Sequence, residues 1–151
     1  MNDGKTICNT PEQTFAFGEQ LAASLNSGDV ILLYGGIGAG KTLLTKGILN
    51  ALEFDIDEVT SPSFTLVNLY KTRRCDVYHI DLWRLNGKVA PAEAVGLDEI
   101  LENEKAVAII EWADRLVNFA GLEEAIRVNI NGNGDEPRLI DIKYASVSKK
   151  I

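Results

Sequence analysis

The sequence has few of the residues on which several classes of protein depend. Among its 151 residues are only two cysteines, Cys8 and Cys75, which are isolated and form no Cys-x-x-Cys pair. A disulfide framework or a cysteine zinc site would need more cysteines at closer spacing. We therefore predict two reduced thiols with no structural role as ligands.

Long apolar runs and an excess of positive charge are also missing. No run approaches the ~20 apolar residues that a membrane span needs, and Met1–Lys5 lack the charged-then-apolar layout of a signal peptide. These features favour a cytoplasmic location. The net charge of −7 argues against a dedicated nucleic-acid binder, but it does not exclude work beside an RNA-binding partner.

The remaining composition is typical of a folded domain. Apolar residues make up 46% of the chain and charged residues 25%, which is the profile of a globular protein. The length suits one domain with a sizeable core, and neither a repeat nor a low-complexity linker divides it. We expect residues 1–151 to form a single domain.

Two uninterrupted apolar runs, Val30–Tyr34 and Ala106–Ile110, predict strands that are buried on both faces. Helices are predicted between the strands: one after Thr10, which has the features of an N-cap before Pro11, and others over 41–52 and 91–101. Strands that alternate with helices around buried runs indicate an α/β fold, with a mostly parallel central sheet between two helical layers.

Two further pairs of strands predict hairpins. The pairs are 64–71 with 76–85, joined by a short basic turn, and 126–130 with 139–144, joined through Asn131-Gly132-Asn133-Gly134. Hairpins pair their strands antiparallel. We therefore expect antiparallel strands at the edges of the sheet.

The strongest motif is a glycine-rich loop between a predicted strand and a predicted helix. Gly35–Thr42 matches G-x-x-x-x-G-K-[ST] at every fixed position. Its glycines let backbone N–H groups converge on phosphate oxygens, and the following helix adds its positive N-terminal end. Lys41 is expected to reach the β- and γ-phosphates, and the Thr42 hydroxyl to bind Mg²⁺.

The nucleotide is expected to be ATP. A GTPase would normally carry Asp-x-x-Gly and Asn-Lys-x-Asp segments, and neither occurs in the chain. The residues predicted to bind ATP from the loop and the start of its helix are Gly36, Ile37, Gly38, Ala39, Gly40, Lys41, Thr42 and Leu43.

Two acids are placed at the ends of predicted strands. Glu111 follows the apolar run Val107–Ile110, as the acid of a second nucleotide-binding motif would, and Asp81 lies in the segment Tyr78–Trp83. Strand alternation puts Asp81 on one face with His79. Either acid could face the phosphates, and either could instead be a solvated strand end.

Three other side chains have two open interpretations. His79, the only histidine, is expected to be a hydrogen-bonded structural residue rather than a catalytic one. Trp112 could pack in the core or lie over the nucleotide site. Ser63, in Ser61–Phe64, could sense the γ-phosphate through its hydroxyl, as in switch proteins, or could simply belong to a turn.

Four segments occur in an order and spacing that resemble the TsaE (YjeE) family. They are Tyr34–Thr42, Ser61–Val67, Tyr78–Leu85 and Glu111-Trp112-Ala113, and the likeness extends over roughly residues 10–116. The resemblance implies the ATPase subunit of bacterial tRNA threonylcarbamoyladenosine synthesis. Such a subunit works with a sugar-kinase-like threonylcarbamoyl transferase and that enzyme's inactive paralogue, and meets tRNA only through this complex.

The resemblance also implies roles for individual residues. Lys41 and Thr42 would hold phosphate and Mg²⁺, and Glu111 would be the second acid on the metal side. Asp81 and Trp112 fall at positions that are important for hydrolysis. Thr10 and Thr14 match a region near the adenine.

The chain departs from the family pattern at two positions. Gly36 stands where the family usually has aspartate, and Ser63 stands where it usually has threonine. Serine keeps the hydroxyl, so phosphate sensing can survive. Loss of the aspartate removes a charge close to the phosphates, which could change nucleotide affinity or a partner contact.

The expected chemistry is in-line attack of water on the γ-phosphate, with Mg²⁺ and Lys41 stabilising the developing charge. Asp81 or Glu111 would orient or activate the water. Neither Arg84 nor Arg115 is evidently placed as an arginine finger. Two alternatives remain: a small-molecule kinase, for which no long lid segment is present, and a nucleotide-gated binding module that hydrolyses nothing of consequence.

Overall fold

The computed structural model describes residues 2–62, 65–85, 90–116 and 121–145. Within these ranges the strands are β1 Gly4–Cys8, β2 Val30–Tyr34, β3 Val67–Lys71, β4 Asp76–Asp81, β5 Ala106–Glu111, β6 Ile126–Asn131 and β7 Arg138–Lys143. The α-helices are α1 Pro11–Ala23, α2 Lys41–Ala51, α3 Pro91–Val95 and α4 Leu97–Glu102, and two short 3₁₀ helices cover Ile56–Glu58 and Ala113–Arg115.

The strands form one sheet in the order β1-β7-β6-β2-β5-β4-β3. The four central strands, β6, β2, β5 and β4, pair parallel to one another, whereas β1, β7 and β3 pair antiparallel at the two edges. The predicted α/β class is confirmed, including the parallel centre and the antiparallel edge strands. The carboxyl ends of the parallel strands meet at one edge, where ligands bind in open α/β sheets.

Apolar side chains cover the sheet on both faces, but not along its whole width. The helices α1 and α2 pack over one face, and α4 packs with the segments after β5 over the other. Every residue of β5 is buried, while β6 alternates strictly between buried and exposed. The centre of the sheet therefore has three layers, and the part around β6 is covered on one face only.

Two glycines hold α1 against α2. A Cβ at Gly18 would lie 2.3 Å from the carbonyl oxygen of Leu44, and one at Gly47 would lie 2.1 Å from that of Phe15. Neither distance is compatible with a side chain, so the two backbones touch. This contact sets the position of the start of α1 relative to the glycine-rich loop that precedes α2.

Local predictions of two elements need correction. The strand expected over 76–85 ends at Asp81, because the carboxylate oxygen Oδ1 of that residue accepts a hydrogen bond from the Trp83 N–H and turns the chain. The helix expected over 91–101 is broken at Gly96, whose φ of +65° ends α3 and begins α4.

The strand expected from Phe64 begins at Val67, after Leu66 in a left-handed conformation, and Phe64 and Ser63 lie outside the described residues. Within the part of the chain that the structure describes, none of the helices has the length and apolar character that a membrane crossing requires.

Candidate functional site

The glycine-rich loop joins the carboxyl end of β2 to the start of α2. Gly38 and Gly40 have φ values of +77° and +109°, a region that side-chain-bearing residues rarely adopt. Gly40 is the N-cap of α2 and has no side chain to cap the helix. The first N–H groups of α2 are therefore available to an anionic ligand.

Lys41 is folded back over this loop. Its Nζ donates hydrogen bonds to the carbonyl oxygens of Gly35 (2.7 Å) and Gly36 (2.8 Å), and it lies 4.5 Å from the centre of the Trp112 ring. Burial lowers the pKa of the ammonium group below its usual value, while the charges of Glu111, Asp81 and Asp114 act in the opposite direction. Lys41 thus spans the loop and binds its first two carbonyl oxygens.

Two carboxylates face the loop from the ends of neighbouring strands. Asp81 ends β4, Glu111 ends β5, and the strands pair so that the two residues are directly opposite each other. Their exposed fractions are only 4% and 3%. Buried carboxylates need charged or hydrogen-bonding partners, and the position of Lys41 shows where the compensating charge comes from.

His79 supports Glu111 from inside the protein. It is fully buried, lies two residues before Asp81 on β4, and its Nε2 is hydrogen-bonded to the carboxylate oxygen Oε2 of Glu111. With an ionised carboxylate as the acceptor, Nε2 is the nitrogen that donates. Nδ1 has no hydrogen-bond partner among the described residues. The structural role expected for His79 stays a prediction.

Two tryptophans form the wall beside the acids. Trp112 turns the chain sharply after β5 with a φ of +58°, and its ring packs against that of Trp83, with 4.4 Å between the centres. The guanidinium of Arg115 lies 5.6 and 5.8 Å from the two ring centres, and its Nη2 donates to the carbonyl oxygen of Trp83 (3.4 Å). Trp112 therefore lies over the site and does not only fill the core.

These groups surround one cleft of about 500 Å³. It is lined by Ile37, Gly38, Ala39, Gly40, Lys41, Thr42, Leu43, Lys46, Ser61, Asp81, Trp83, Glu111 and Trp112. Most of the residues predicted from the sequence are thus brought together. Gly36 is not in the lining, although its carbonyl oxygen binds Lys41, and Ser63 lies outside the described residues.

A second cavity of about 280 Å³ lies on the other side of the loop, and Ala39, Gly40 and Leu43 line both spaces. Thr10 and Thr14 belong to its wall. Thr10 caps α1 as predicted, since its hydroxyl accepts a hydrogen bond from the Gln13 N–H (3.2 Å). Thr14 is buried. Because both threonines line a cavity that adjoins the loop, a group attached to a phosphate in the loop could extend towards them.

The donor set fits a magnesium ion that is bound together with phosphate. Thr42 and Glu111 bring a hydroxyl and a carboxylate to the same cleft, and Mg²⁺ commonly takes one or two such oxygens along with nucleotide phosphates and water. The described residues contain no group of three or more histidines, cysteines or acids that could hold a metal by themselves.

Sequence reasoning missed three residues at the site: Lys46, Trp83 and Arg138. Trp83 was assigned to the strand of Asp81 and not to the cleft, although its spacing of two from Asp81 was a usable signal. Arg138, on β7, donates to the carbonyl oxygens of Gly38 and Ala39 in the loop. Nothing in the sequence near Arg138 indicates this contact.

Comparison with known proteins agrees with the geometry. The model of the family "Threonylcarbamoyl adenosine biosynthesis protein TsaE" matches residues 8–140. The chain is 32% identical to the tRNA threonylcarbamoyladenosine biosynthesis protein TsaE of Rickettsia bellii, over 94% of this chain and 96% of that protein. It is 34% identical to the protein of the same name from Bacillus subtilis, over 93% and 84%.

A solved structure extends the likeness to the fold. The crystal structure of Bacillus subtilis YdiB superposes with a TM-score of 0.74 at 30% identity, covering 96% of this chain and 87% of that one. The family match and the relatives both span most of the sequence. The chain therefore belongs to the TsaE family of tRNA threonylcarbamoyladenosine biosynthesis proteins.

Proposed function

We propose that the protein is a Mg²⁺-dependent ATPase that supports threonylcarbamoyl modification of the adenosine next to the anticodon in tRNAs. It would sustain repeated turnover of a partner transferase and would not perform the transfer itself. The observation that supports this most is one cleft in which Lys41 of the phosphate loop faces the buried carboxylates of Asp81 and Glu111.

In this proposal the loop amides and Lys41 bind the phosphates, and Lys41 exchanges the carbonyl oxygens of Gly35 and Gly36 for phosphate oxygens. Thr42 and Glu111 would hold Mg²⁺, which supplies positive charge to the phosphates when it is bound. The base would extend into the second cavity beside Thr10 and Thr14. Trp112, at the wall of the cleft, would pack against the bound nucleotide.

The buried carboxylates would act on the attacking water. Oδ1 of Asp81 accepts from the Trp83 N–H at 2.9 Å, which orients the carboxylate at the cleft. Oε2 of Glu111 is bound to His79, which leaves Oε1 to meet a ligand. One carboxylate would orient water for in-line attack, and Lys41 would stabilise charge on the γ-phosphate oxygens.

The proposed partners are the sugar-kinase-like threonylcarbamoyl transferase and its inactive paralogue. Arg115 is held by Trp83 at the edge of the cleft, away from the phosphate loop, so no cationic side chain beyond Lys41 and Lys46 lines the described cleft. A partner that completes the site would raise a slow basal rate. Because tRNA is modified in the cytoplasm, the proposal places the protein there.

Two other functions use the same loop. A small-molecule kinase would need a pocket for an acceptor next to the γ-phosphate, and the acids beside Lys41 could serve such an acceptor as well as water. A nucleotide-gated binding module would need only the loop. The two buried carboxylates favour an ATPase over a binding module, because a site that only binds nucleotide does not require a second buried acid at this position.

The decisive experiment measures ATP binding and phosphate release by the chain alone and with the two partners. We expect Mg²⁺-dependent binding, slow hydrolysis alone and faster hydrolysis in the mixture. Vigorous hydrolysis without partners would contradict the proposal of partner control. A Glu111→Ala protein that still supports tRNA modification would favour the binding module over the ATPase.

A further inference from the structure

We infer that Arg138 is a positioning residue for nucleotide binding, which holds the phosphate loop in its binding conformation through hydrogen bonds to the loop's carbonyl oxygens. This inference rests on the proposed ATP-binding function of the loop. Arg138 begins β7, at the end of the hairpin loop that follows β6, and it is 99 residues away from its loop partner Ala39 along the chain.

The guanidinium of Arg138 is surrounded by carbonyl oxygens. Nε donates to Ala39 (2.9 Å) and Nη2 to Gly38 (3.2 Å), both in the phosphate loop. The same group donates to Gly134 (3.1 Å) and Glu136 in its own hairpin. These four bonds use four of the five N–H donors of the rigid planar guanidinium, and no other side chain supplies as many.

The two loop contacts act on the backbone that is proposed to bind phosphate. A peptide unit is planar and trans, so its C=O and N–H point in opposite directions. Arg138 holds the carbonyl oxygens of Gly38 and Ala39. The contact with Ala39 also orients the N–H of Gly40, which belongs to the same peptide unit. The contact with Gly38 orients the N–H of Ala39, which donates to the carbonyl oxygen of Gly36 (3.2 Å) and so fixes the turn of the loop. Glycine φ angles near this point leave the loop free to rotate unless something holds it.

The hairpin loop between β6 and β7 packs closely against the side chain of Arg138. Gly132 has a φ of +123°, and a Cβ there would lie 2.6 Å from the carbonyl oxygen of Pro137 and 3.0 Å from Cδ of Arg138. The turn thus folds tightly against the arginine stem. Arg138 itself lines the second cavity together with Asp135 and Glu136 of the hairpin, so one side chain links the phosphate loop to the proposed base side of the site.

The test compares Arg138→Ala and Arg138→Lys with wild type and with Arg127→Ala. Arg127 is a matched control, because it lies on the neighbouring strand β6 and donates to the Tyr34 hydroxyl (2.9 Å), away from the loop. Calorimetry gives the Kd for ATP and for ADP with Mg²⁺. Amide hydrogen exchange of residues 35–42 is followed in the nucleotide-free proteins.

Loss of hydrogen bonds to a charged group predicts a Kd for both nucleotides that is about tenfold higher in Arg138→Ala. Exchange in the loop should be faster, and hydrolysis at saturating ATP should stay close to wild type, since the ground state and the transition state use the same loop. Arg138→Lys should recover part of the affinity because one ammonium reaches some of the four oxygens. Arg127→Ala should match wild type in Kd and loop exchange.

Two results would overturn the inference. An unchanged Kd in Arg138→Ala would show that the loop needs no support. A raised Kd with unchanged loop exchange would assign Arg138 to direct contact with the nucleotide instead. If the alanine variant does not fold, Arg138→Lys decides by the same two measurements. If the wild-type protein does not bind ATP, the proposed function itself is refuted. This outcome is distinct from the two results above, which test only the role of Arg138.

Discussion

The two walls of the cleft are built in different ways. The loop wall, Gly35–Thr42, consists of consecutive residues and binds through backbone groups and one lysine. The acid wall takes Asp81 from β4 and Glu111 from β5, and it depends on the strand register that sets them opposite each other. His79 and the two tryptophans then fix the orientations of this wall.

Under the proposed function the two walls would have different roles, the loop wall in nucleotide binding and the acid wall in hydrolysis. A backbone cradle holds phosphate in nucleotide-binding proteins of this type, so under the proposed function the loop wall would account for affinity. Oriented side chains opposite the cradle are needed for reaction at the γ-phosphate. Changes in the loop wall should therefore alter affinity, and changes in the acid wall should alter the rate. Lys41 is the exception, because it touches both walls.

The largest effect is expected for Lys41→Ala. Removing the ammonium takes away the cation that faces the phosphates and leaves Asp81 and Glu111 without their compensating charge, so hydrolysis in the complex should fall on the order of 10²–10³-fold. Phosphate release and ATP affinity are measured together. Lys71→Ala, at an exposed lysine on the edge strand β3, is the control and should match wild type. Normal hydrolysis by the Lys41 variant would remove this residue from the chemistry.

Substitution of either acid should lower the rate of hydrolysis without preventing ATP binding. Asp81→Asn and Glu111→Gln keep the shapes of the side chains and remove the charges, and each should lower hydrolysis on the order of 10²-fold while ATP still binds. If Glu111 serves the metal, its variant alone should also need more Mg²⁺. The measurement is a magnesium titration of phosphate release.

Asp76→Asn is the matched control for the acids, since Asp76 lies on the same strand as Asp81 but at its opposite end. Equal magnesium requirements in both acid variants would show that the metal does not distinguish the two carboxylates. Hydrolysis at the wild-type rate in either variant would exclude that residue from the reaction.

Two substitutions of His79 test its hydrogen bond to Glu111 within the acid wall. The amide nitrogen of Gln can take the place of Nε2 and keep the bond to Glu111, whereas that of Asn reaches only the place of Nδ1. We expect His79→Gln to retain most hydrolysis and His79→Asn to lose about tenfold, as for a lost hydrogen bond to a charged group. Rates at saturating ATP decide, with melting temperatures as a check on folding. Equal losses in both variants would make His79 a packing residue only.

The smallest effect is expected at Gly36, the loop position at which the resemblance leads us to expect aspartate. The φ of Gly36 is not positive, and an added Cβ would have no atom within 4 Å, so a side chain fits. Gly36→Asp should leave the melting temperature unchanged and raise the Kd for ATP about two- to fivefold through repulsion of phosphate. Salt should reduce the effect, and Gly36→Asn should show none. A lower Kd would mean that the carboxylate binds the metal or Lys41.

Prediction from the sequence succeeded where neighbouring residues set the outcome. The buried strand β2, the cap of α1 by Thr10 and the loop before α2 all depend on residues a few positions apart. It failed at the end of β4, where one carboxylate binds the backbone two residues on, and at Gly96, which divides a helix. Both signals were local, but each competed with a periodic pattern that extended past it.

The sequence by itself determined the glycine-rich loop and the alternation of strands and helices, because glycine conformations, a helix start and apolar periodicity are properties of short segments. Only the tertiary structure decided that His79 holds Glu111, that Trp112 lies over Lys41 and that Arg138 holds the loop. Those contacts join residues 32 to 99 positions apart. They depend on strand order, register and side-chain direction, which no short segment specifies.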